Sequence, residues 1–253
     1  MGNNSADPEH AGQTIPLPIL DDSAIQRVLC VVAHPDDMEY GASAVVAEWT
    51  SRGIEVGYLL LTSGEAGIRT MDPGIAGPLR AEEQKRACEL VGVTDLAILD
   101  FPDGLLEPGL ALRERIVHHI RRFKPDVVVT MTWDLETPWG INHVDHRVAG
   151  LSVVDAIRDA ANPWLFRTQR TGEGSKAWAV PLLLVAGSQD THAIPVGKQS
   201  VDRAVASLGA HKAYLAALPD HEQPEKLVTA ILRRTGKAAR SDYALGVRAI
   251  EMA

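Results

Sequence analysis

His34-Pro35-Asp36-Asp37 and His143-Val144-Asp145-His146 are the two stretches of this chain whose residue types and spacing can do chemistry. A catalytic zinc needs three protein ligands and one position left open for water. His34, Asp37 and His146 make a His-Asp-His set of that kind. Asp36 is then a spare carboxylate, free to act as a general base. His143 is a spare imidazole that can stabilise an oxyanion or protonate a leaving amine, and Asp145 can orient a histidine from behind. Together these roles fit metal-assisted hydrolysis of an amide. Zn2+ is the expected ion, one per chain, although two histidines and a carboxylate also suit iron, manganese or cobalt.

Both clusters follow apolar runs. Val28 to Ala33 is uninterrupted and stops at His34, as a buried strand of a parallel sheet would. The second cluster follows a strand over Asp126–Met131 and a turn-rich segment, Trp133 to Gly140. In open α/β sheets the ligand site lies just past the carboxyl ends of such strands, so both clusters are expected at one edge. Further strands are expected at Gly53–Thr62, Leu96–Leu99 and Val180–Ala186. Helices are expected at Tyr40–Arg52, Arg80–Val91, Ala111–Phe123, Val144–Ala161, Lys198–Ala217 and Glu225–Arg234. Ser63–Leu79 and Pro163–Lys176 read as loops. The alternation predicts an α/β fold, a doubly wound, mostly parallel sheet with helices on both faces. One domain is expected over residues 25–253, behind a flexible N-terminal arm over residues 1–24.

A formal charge of −8 lacks the basic footprint of a general nucleic-acid binder. The two cysteines, Cys30 and Cys88, form no close pair, which excludes a disulfide scaffold or a four-cysteine zinc site. No run reaches the ~18 apolar residues of a membrane span, and residues 1–22 read as polar, without a secretion signal. Cytoplasm is the expected compartment, a small-molecule amide the expected partner, and a homo-oligomer stays open.

The quoted residues carry a resemblance. His34-Pro35-Asp36-Asp37-Met38-Glu39 resembles the His-Pro-Asp-Asp-x-Glu motif of the PIG-L/LmbE-like zinc-dependent N-deacetylases, and His143-Val144-Asp145-His146 resembles their His-x-Asp-His motif. Leu61-Thr62-Ser63-Gly64-Glu65-Ala66-Gly67, Arg80-Ala81-Glu82-Glu83 and Asp100-Phe101-Pro102-Asp103-Gly104 are similar to the family's second-strand loop, the helix after it and its third-strand turn. The resemblance runs from about Arg27 to Arg158. It implies a Rossmann-like fold and removal of acyl groups from N-acetylglucosamine-type substrates. It further implies His34, Asp37 and His146 as metal ligands, Asp36 as general base and His143 as electrostatic stabiliser. Two departures stand out. Some members carry Tyr-Gly-His before the second motif, where this chain has Ile141-Asn142-His143. Many carry a late His-x-Ser-Gln, of which His211-Lys212-Ala213-Tyr214 keeps the histidine.

Glu65, Arg69 and His211 are the candidate substrate contacts, each with a structural alternative. Arg80 is read as a cap or an ion-pair partner within its helix, and Trp133, Trp139 and Trp164 as sugar-stacking or loop-packing residues. The nearest rival activity is an amidase cleaving a larger amide, such as a thiol-cofactor conjugate or a natural-product intermediate. A nucleotide-binding reading lacks support, because no Gly-x-Gly-x-x-Gly loop follows the first strand of this chain. A non-catalytic relative would not need every catalytic-type position filled.

Overall fold

A computed structural model describes residues 16–40, 42–167 and 176–252. Gly41, just beyond Tyr40, lies outside the described residues, as do residues 1–15 of the expected arm and 168–175 of the expected loop. In chain order the elements are β1 (Arg27–Val32), α1 (Ser43–Ser51), β2 (Glu55–Leu60), α2 (Pro73–Val91), β3 (Asp95–Ile98), α3 (Leu110–Phe123), β4 (Val127–Met131), β5 (Glu136–Thr137) and β6 (Gly140–Ile141). They continue with α4 (Val144–Ala161), β7 (Leu182–Ala186), β8 (His192–Pro195), α5 (Lys198–Gly209), α6 (Lys212–Ala216), α7 (Pro224–Ala239) and β9 (Ala244–Glu251).

Seven strands form one sheet in the order β3-β2-β1-β4-β7-β9-β8. The first five are parallel; β9 runs antiparallel to both of its neighbours. The sheet is covered on both faces, which is why β1 has no polar side. Val28, Cys30 and Val32 pack with α1, α2, α5 and α7. Leu29 and Val31 pack with α3 and α4 on the other face. Chain order reverses beside β1, which lies between β2 and β4. A crevice at the carboxyl ends of these two strands follows from that reversal. Both cysteines are buried and free. Among the described residues no helix is long and apolar enough to cross a membrane.

The predicted α/β architecture with its mostly parallel sheet is the observed one. Three local expectations differ, and one segment without an expected element forms a strand. Residues 16–24, expected within the loose arm, are tied to the edge strand: Ile19 bridges Ala193, and Leu20 N donates to Ala193 O at 2.9 Å. Helix α2 begins at Pro73, inside the expected loop, because Asp72 caps it (Oδ1 accepts from Gly74 N at 2.9 Å) and Pro73 suits a first turn. The single helix expected over 198–217 breaks at Ala210–His211, where ψ of His211 is 55°. The unassigned carboxyl-terminal segment supplies β9, which inserts between β7 and β8.

Candidate metal centre and active-site cavity

Beyond β1 the chain turns back on itself. Ala33 N and His34 N donate to Asp37 Oδ2 at 3.0 and 2.9 Å, which folds the Asp37 carboxylate under the strand end and leaves Oδ1 free. The turn forces Asp36 to φ 93°, a left-handed conformation that is costly outside glycine. Buried neighbours hold it there. Asp36 N donates to Gln84 Oε1 at 3.0 Å, and Arg80 Nη2 donates to Asp36 Oδ1 at 2.8 Å and to Pro35 O at 2.6 Å.

The second cluster arrives through the short β5–β6 hairpin and the start of α4. His143 is the helix N-cap, its Nδ1 accepting from Asp145 N at 3.2 Å. The proton of its neutral ring therefore sits on Nε2. His146 lies one turn into the helix and turns inward. Its Nδ1 contacts Asn142 Oδ1 at 3.0 Å, while Asn142 Nδ2 donates to Thr132 O and Asp134 O. Those two carbonyls fix the amide orientation, so Asn142 Oδ1 accepts from Nδ1–H and the neutral His146 ring offers Nε2 as its bare nitrogen.

Three donor atoms then converge. His146 Nε2 is 3.1 Å from Asp37 Oδ1 and 3.3 Å from His34 Nδ1, and His34 Nδ1 is 3.7 Å from Asp37 Oδ1. The far nitrogen of His34 is also spoken for: Nε2 lies 2.9 Å from Asp103 Oδ1 and 3.2 Å from Asp145 Oδ2. Each ligand-type residue thus has its remaining polar atom engaged from behind, the arrangement that aims imidazoles and carboxylates at a divalent cation. The donor set fits zinc. A second grouping, His34, His143 and Asp145, also falls within 4.8 Å. It is a poorer candidate: Asp145 accepts from Gly104 N (2.7 Å) and Leu106 N (3.1 Å), and His143 Nδ1 is used in capping.

Electrostatics follow the geometry. Burial alone would pull His34 down, but Asp103, Asp145 and Asp37 outweigh it and raise its pKa well above the ordinary value. His146 is likewise raised against burial, by Asp37. Burial pushes Asp37 up, yet His146 and His34 hold it well below the usual carboxylate range. Asp36 goes the other way. Burial lifts its pKa to about 6, with Arg80 opposing and Asp37 adding to the rise. His143 is lowered by burial and by His34, so it is neutral near pH 7.

The cluster opens into a cavity of about 690 Å3, a size suited to a small molecule. Of the expected substrate contacts, Arg69 lines this cavity, together with Tyr40, Tyr214, Leu218 and Asp103. Glu65 does not: Oε1 accepts from Asp103 N and Oε2 from Ser63 Oγ, both at 2.8 Å, so its carboxylate braces two loops. His211 is fully buried behind Asp36, its Nε2 3.7 Å from Glu39 Oε2, and is no surface for substrate. Trp133 and Trp139 pack against Gly150 and Gly187, away from the cavity lining, which Trp164 does not join either. Arg80 pairs with Asp36 rather than within its own helix. Asp103, Asn142 and Tyr214 were not singled out from sequence. Asp103 had a signal, its place at the end of a strand. Asn142 and Tyr214 had none beyond adjacency to a histidine motif.

The family model described as PIG-L: GlcNAc-PI de-N-acetylase matches residues 29–157, half of the chain. A diacetylchitobiose deacetylase from Thermococcus kodakarensis is 37% identical over 145 residues, covering 55% of this chain and 52% of the relative. A probable N-acetyl-alpha-D-glucosaminyl L-malate deacetylase 2 from Bacillus anthracis is 31% identical over 140 residues, covering 52% of this chain and 59% of the relative. The matches thus span about half the length of these relatives. The solved structure of N,N'-diacetylchitobiose deacetylase from Pyrococcus horikoshii superposes with a TM-score of 0.79 at 21% identity, covering 91% of this chain and 85% of that one, which speaks to the fold. With both motifs of the site inside the matched segment, the chain belongs to the PIG-L, or GlcNAc-PI de-N-acetylase, family.

Proposed function

We propose that this protein is a zinc-dependent amide hydrolase that removes an N-acetyl group from an N-acetylglucosamine-type small molecule, releasing acetate and a free amine. The observation that carries the reading is the convergence of His34 Nδ1, Asp37 Oδ1 and His146 Nε2 on the floor of an open cavity, beside Asp36 and His143. The named activities of the relatives support it. We place the protein in the cytoplasm, with a small-molecule partner.

His34, Asp37 and His146 would hold the ion. When bound there, zinc supplies Lewis acidity, polarising an amide carbonyl and acidifying water. Asp36 acts as the base. Its Oδ1 is held by Arg80, leaving Oδ2 to accept the proton of the attacking water, and a pKa of about 6 leaves it ionised at neutral pH. His143 presents its Nε2–H to the oxygen that becomes negative as the carbonyl is attacked, a donor fixed in place by the helix cap. Protonated Asp36 then passes its proton to the nitrogen of the breaking C–N bond. Asp145 serves from behind, fixing the His34 ring through Oδ2 and the entry of α4 through its own N–H. Arg69, at the cavity wall, is the candidate contact for the rest of the substrate.

The test is acetate and amine release from a panel of N-acetylglucosamine derivatives by metal-stripped protein, with and without added zinc. Zinc-dependent release is expected. Release from larger N-acyl conjugates alone would favour the amidase reading, and no release from either class would overturn both.

A further inference from the structure

Arg80 is 2% exposed, and its two terminal nitrogens donate to three acceptors, two in the first motif and one in the loop after β2. Nη2 donates to Pro35 O and Asp36 Oδ1, and Nη1 to Gly64 O at 2.7 Å. The ring of Tyr214 lies against one face of the group, its centroid 4.1 Å from the guanidinium carbon. Tyr214 comes from α6, outside the segment matched by the family, and it also lines the cavity. Its ring therefore covers a face of the buried Arg80 guanidinium at the place where Arg80 and Asp36 border the cavity.

The support of Tyr214 leads back to Asp36. Ala213 N, one residue before it, donates to Glu83 Oε1 at 2.6 Å. His211 anchors the start of α6, fully buried and 3.7 Å from Glu39 Oε2. The other oxygen of Glu39 accepts from Gln84 Nε2 at 3.3 Å, and Gln84 Oε1 accepts from Asp36 N. Arg80, Glu83 and Gln84 share one face of α2, at spacings of three and four residues. The support thus runs from Asp36 through Arg80 to Tyr214, along α6 to His211, and from Glu39, 3.7 Å from His211, through Gln84 back to Asp36.

We propose that Tyr214 is a positioning residue for the Asp36 carboxylate, acting through the Arg80 guanidinium that its ring covers. The inference rests on the deacetylase reading above. A carboxylate on a φ of 93° has no local preference for its place, so surrounding contacts must over-determine it. A cation held against an aromatic face gains most where water is excluded. Removing the ring would let more cavity water onto Arg80, loosening the contact that orients Asp36 Oδ1. The Tyr214 hydroxyl, its pKa raised by burial and by the nearby Asp36 charge, adds a smaller share.

Tyr214→Leu and Tyr214→Phe test this with two readouts. In kinetics on the zinc-loaded enzyme, the Leu variant is expected to lose about tenfold or more in kcat with KM within about twofold, and the Phe variant about threefold in kcat. Zinc content stays at that of the wild type. A Leu variant that raises KM and keeps kcat would make Tyr214 a substrate contact and overturn the proposal, as would a Phe variant as impaired as Leu. The second readout needs no substrate. The Arg80 guanidinium protons should be ring-shifted upfield and protected from exchange in wild type and in the Phe variant, and averaged with solvent in the Leu variant. Unshifted Arg80 signals in wild type would overturn the proposal even if the Leu variant failed to fold. A wild type inactive on every substrate would instead sink the deacetylase reading, and the Arg80 signals would still decide whether Tyr214 covers the pair.

Discussion

Asn142 holds His146 across the first turn of α4, Oδ1 to Nδ1 at 3.0 Å, and is itself held by the carbonyls of Thr132 and Asp134 just past β4. The sheet thereby dictates which nitrogen of His146 faces Asp37. An imidazole released from that contact can rotate or change tautomer, and its ligating nitrogen is no longer aimed.

The first prediction follows. Asn142→Ala should weaken zinc binding by about 10- to 100-fold, the usual effect of losing a partner behind a metal ligand. Competition against a chromophoric chelator measures it. An affinity equal to that of the wild type would mean that His146 is not a ligand or that its aim is set elsewhere.

Asp36 separates chemistry from binding. Asp36→Asn should keep wild-type zinc stoichiometry and lose at least about 100-fold in kcat, the scale of a positioned general base. The pH profile has a defined sign. The base works ionised, so activity falls as pH drops through its pKa. That pKa is about 6 in the metal-free protein, and a cation beside Asp37 can only lower it. The acid limb of kcat/KM is therefore expected below about pH 6. A limb centred above pH 7 would assign the base to another group.

Much of this was legible in the sequence because strand ends are legible. An unbroken apolar run that stops at His34 announces a doubly covered strand and a site just beyond it, and Val127–Met131 does the same for the second cluster. What stayed hidden depended on contacts distant in sequence. Arg80 read as a cap or an ion-pair partner within its own helix because its true partner lies 44 positions earlier. His211 read as a substrate contact because nothing local shows that a break in a helix buries it completely. The start of α2 was masked by Pro73, Gly74, Gly77 and Pro78, whose low helix propensity is overridden by the Asp72 cap and by burial of Ala76 and Gly77. Strand β9 alternates only weakly, since a strand in mid-sheet is buried on both faces over its first half.

Zinc binding should be coupled to proton release. Burial opposes the charge on His34 and His146, but the surrounding carboxylates raise both pKa values above the ordinary 6.5, so both rings favour the protonated form at pH 6 in the metal-free protein. For such groups the stabilisation of the folded metal-free protein is complete below the unfolded value and is lost as pH rises through the folded one. Zinc requires both rings neutral, so it displaces these protons. Titration calorimetry at pH 6 in buffers of different ionisation enthalpy should report roughly two protons released per zinc. The rise in Tm on adding zinc should grow from pH 6 to pH 8. A pH-independent rise would show that the ligands are already neutral in the free protein.

His143 combines a structural and a chemical task, and two substitutions separate them. Its Nδ1 caps α4 and its Nε2–H faces the cavity. Asn is among the best N-caps but cannot place a donor where the imidazole Nε2 stands. His143→Asn should therefore keep Tm near wild type while kcat falls by about 100-fold or more, the loss typical of removing one oxyanion donor. His143→Ala should show the same fall in kcat together with about 1 kcal/mol lost from stability, because Asp145 N is left without its acceptor. KM should move little in either, since the contact strengthens only as charge develops on the carbonyl oxygen. Steady-state kinetics and thermal melts on the two variants distinguish the tasks. If the Asn variant kept full kcat, His143 would be a cap alone, and the oxyanion would have to be stabilised without it.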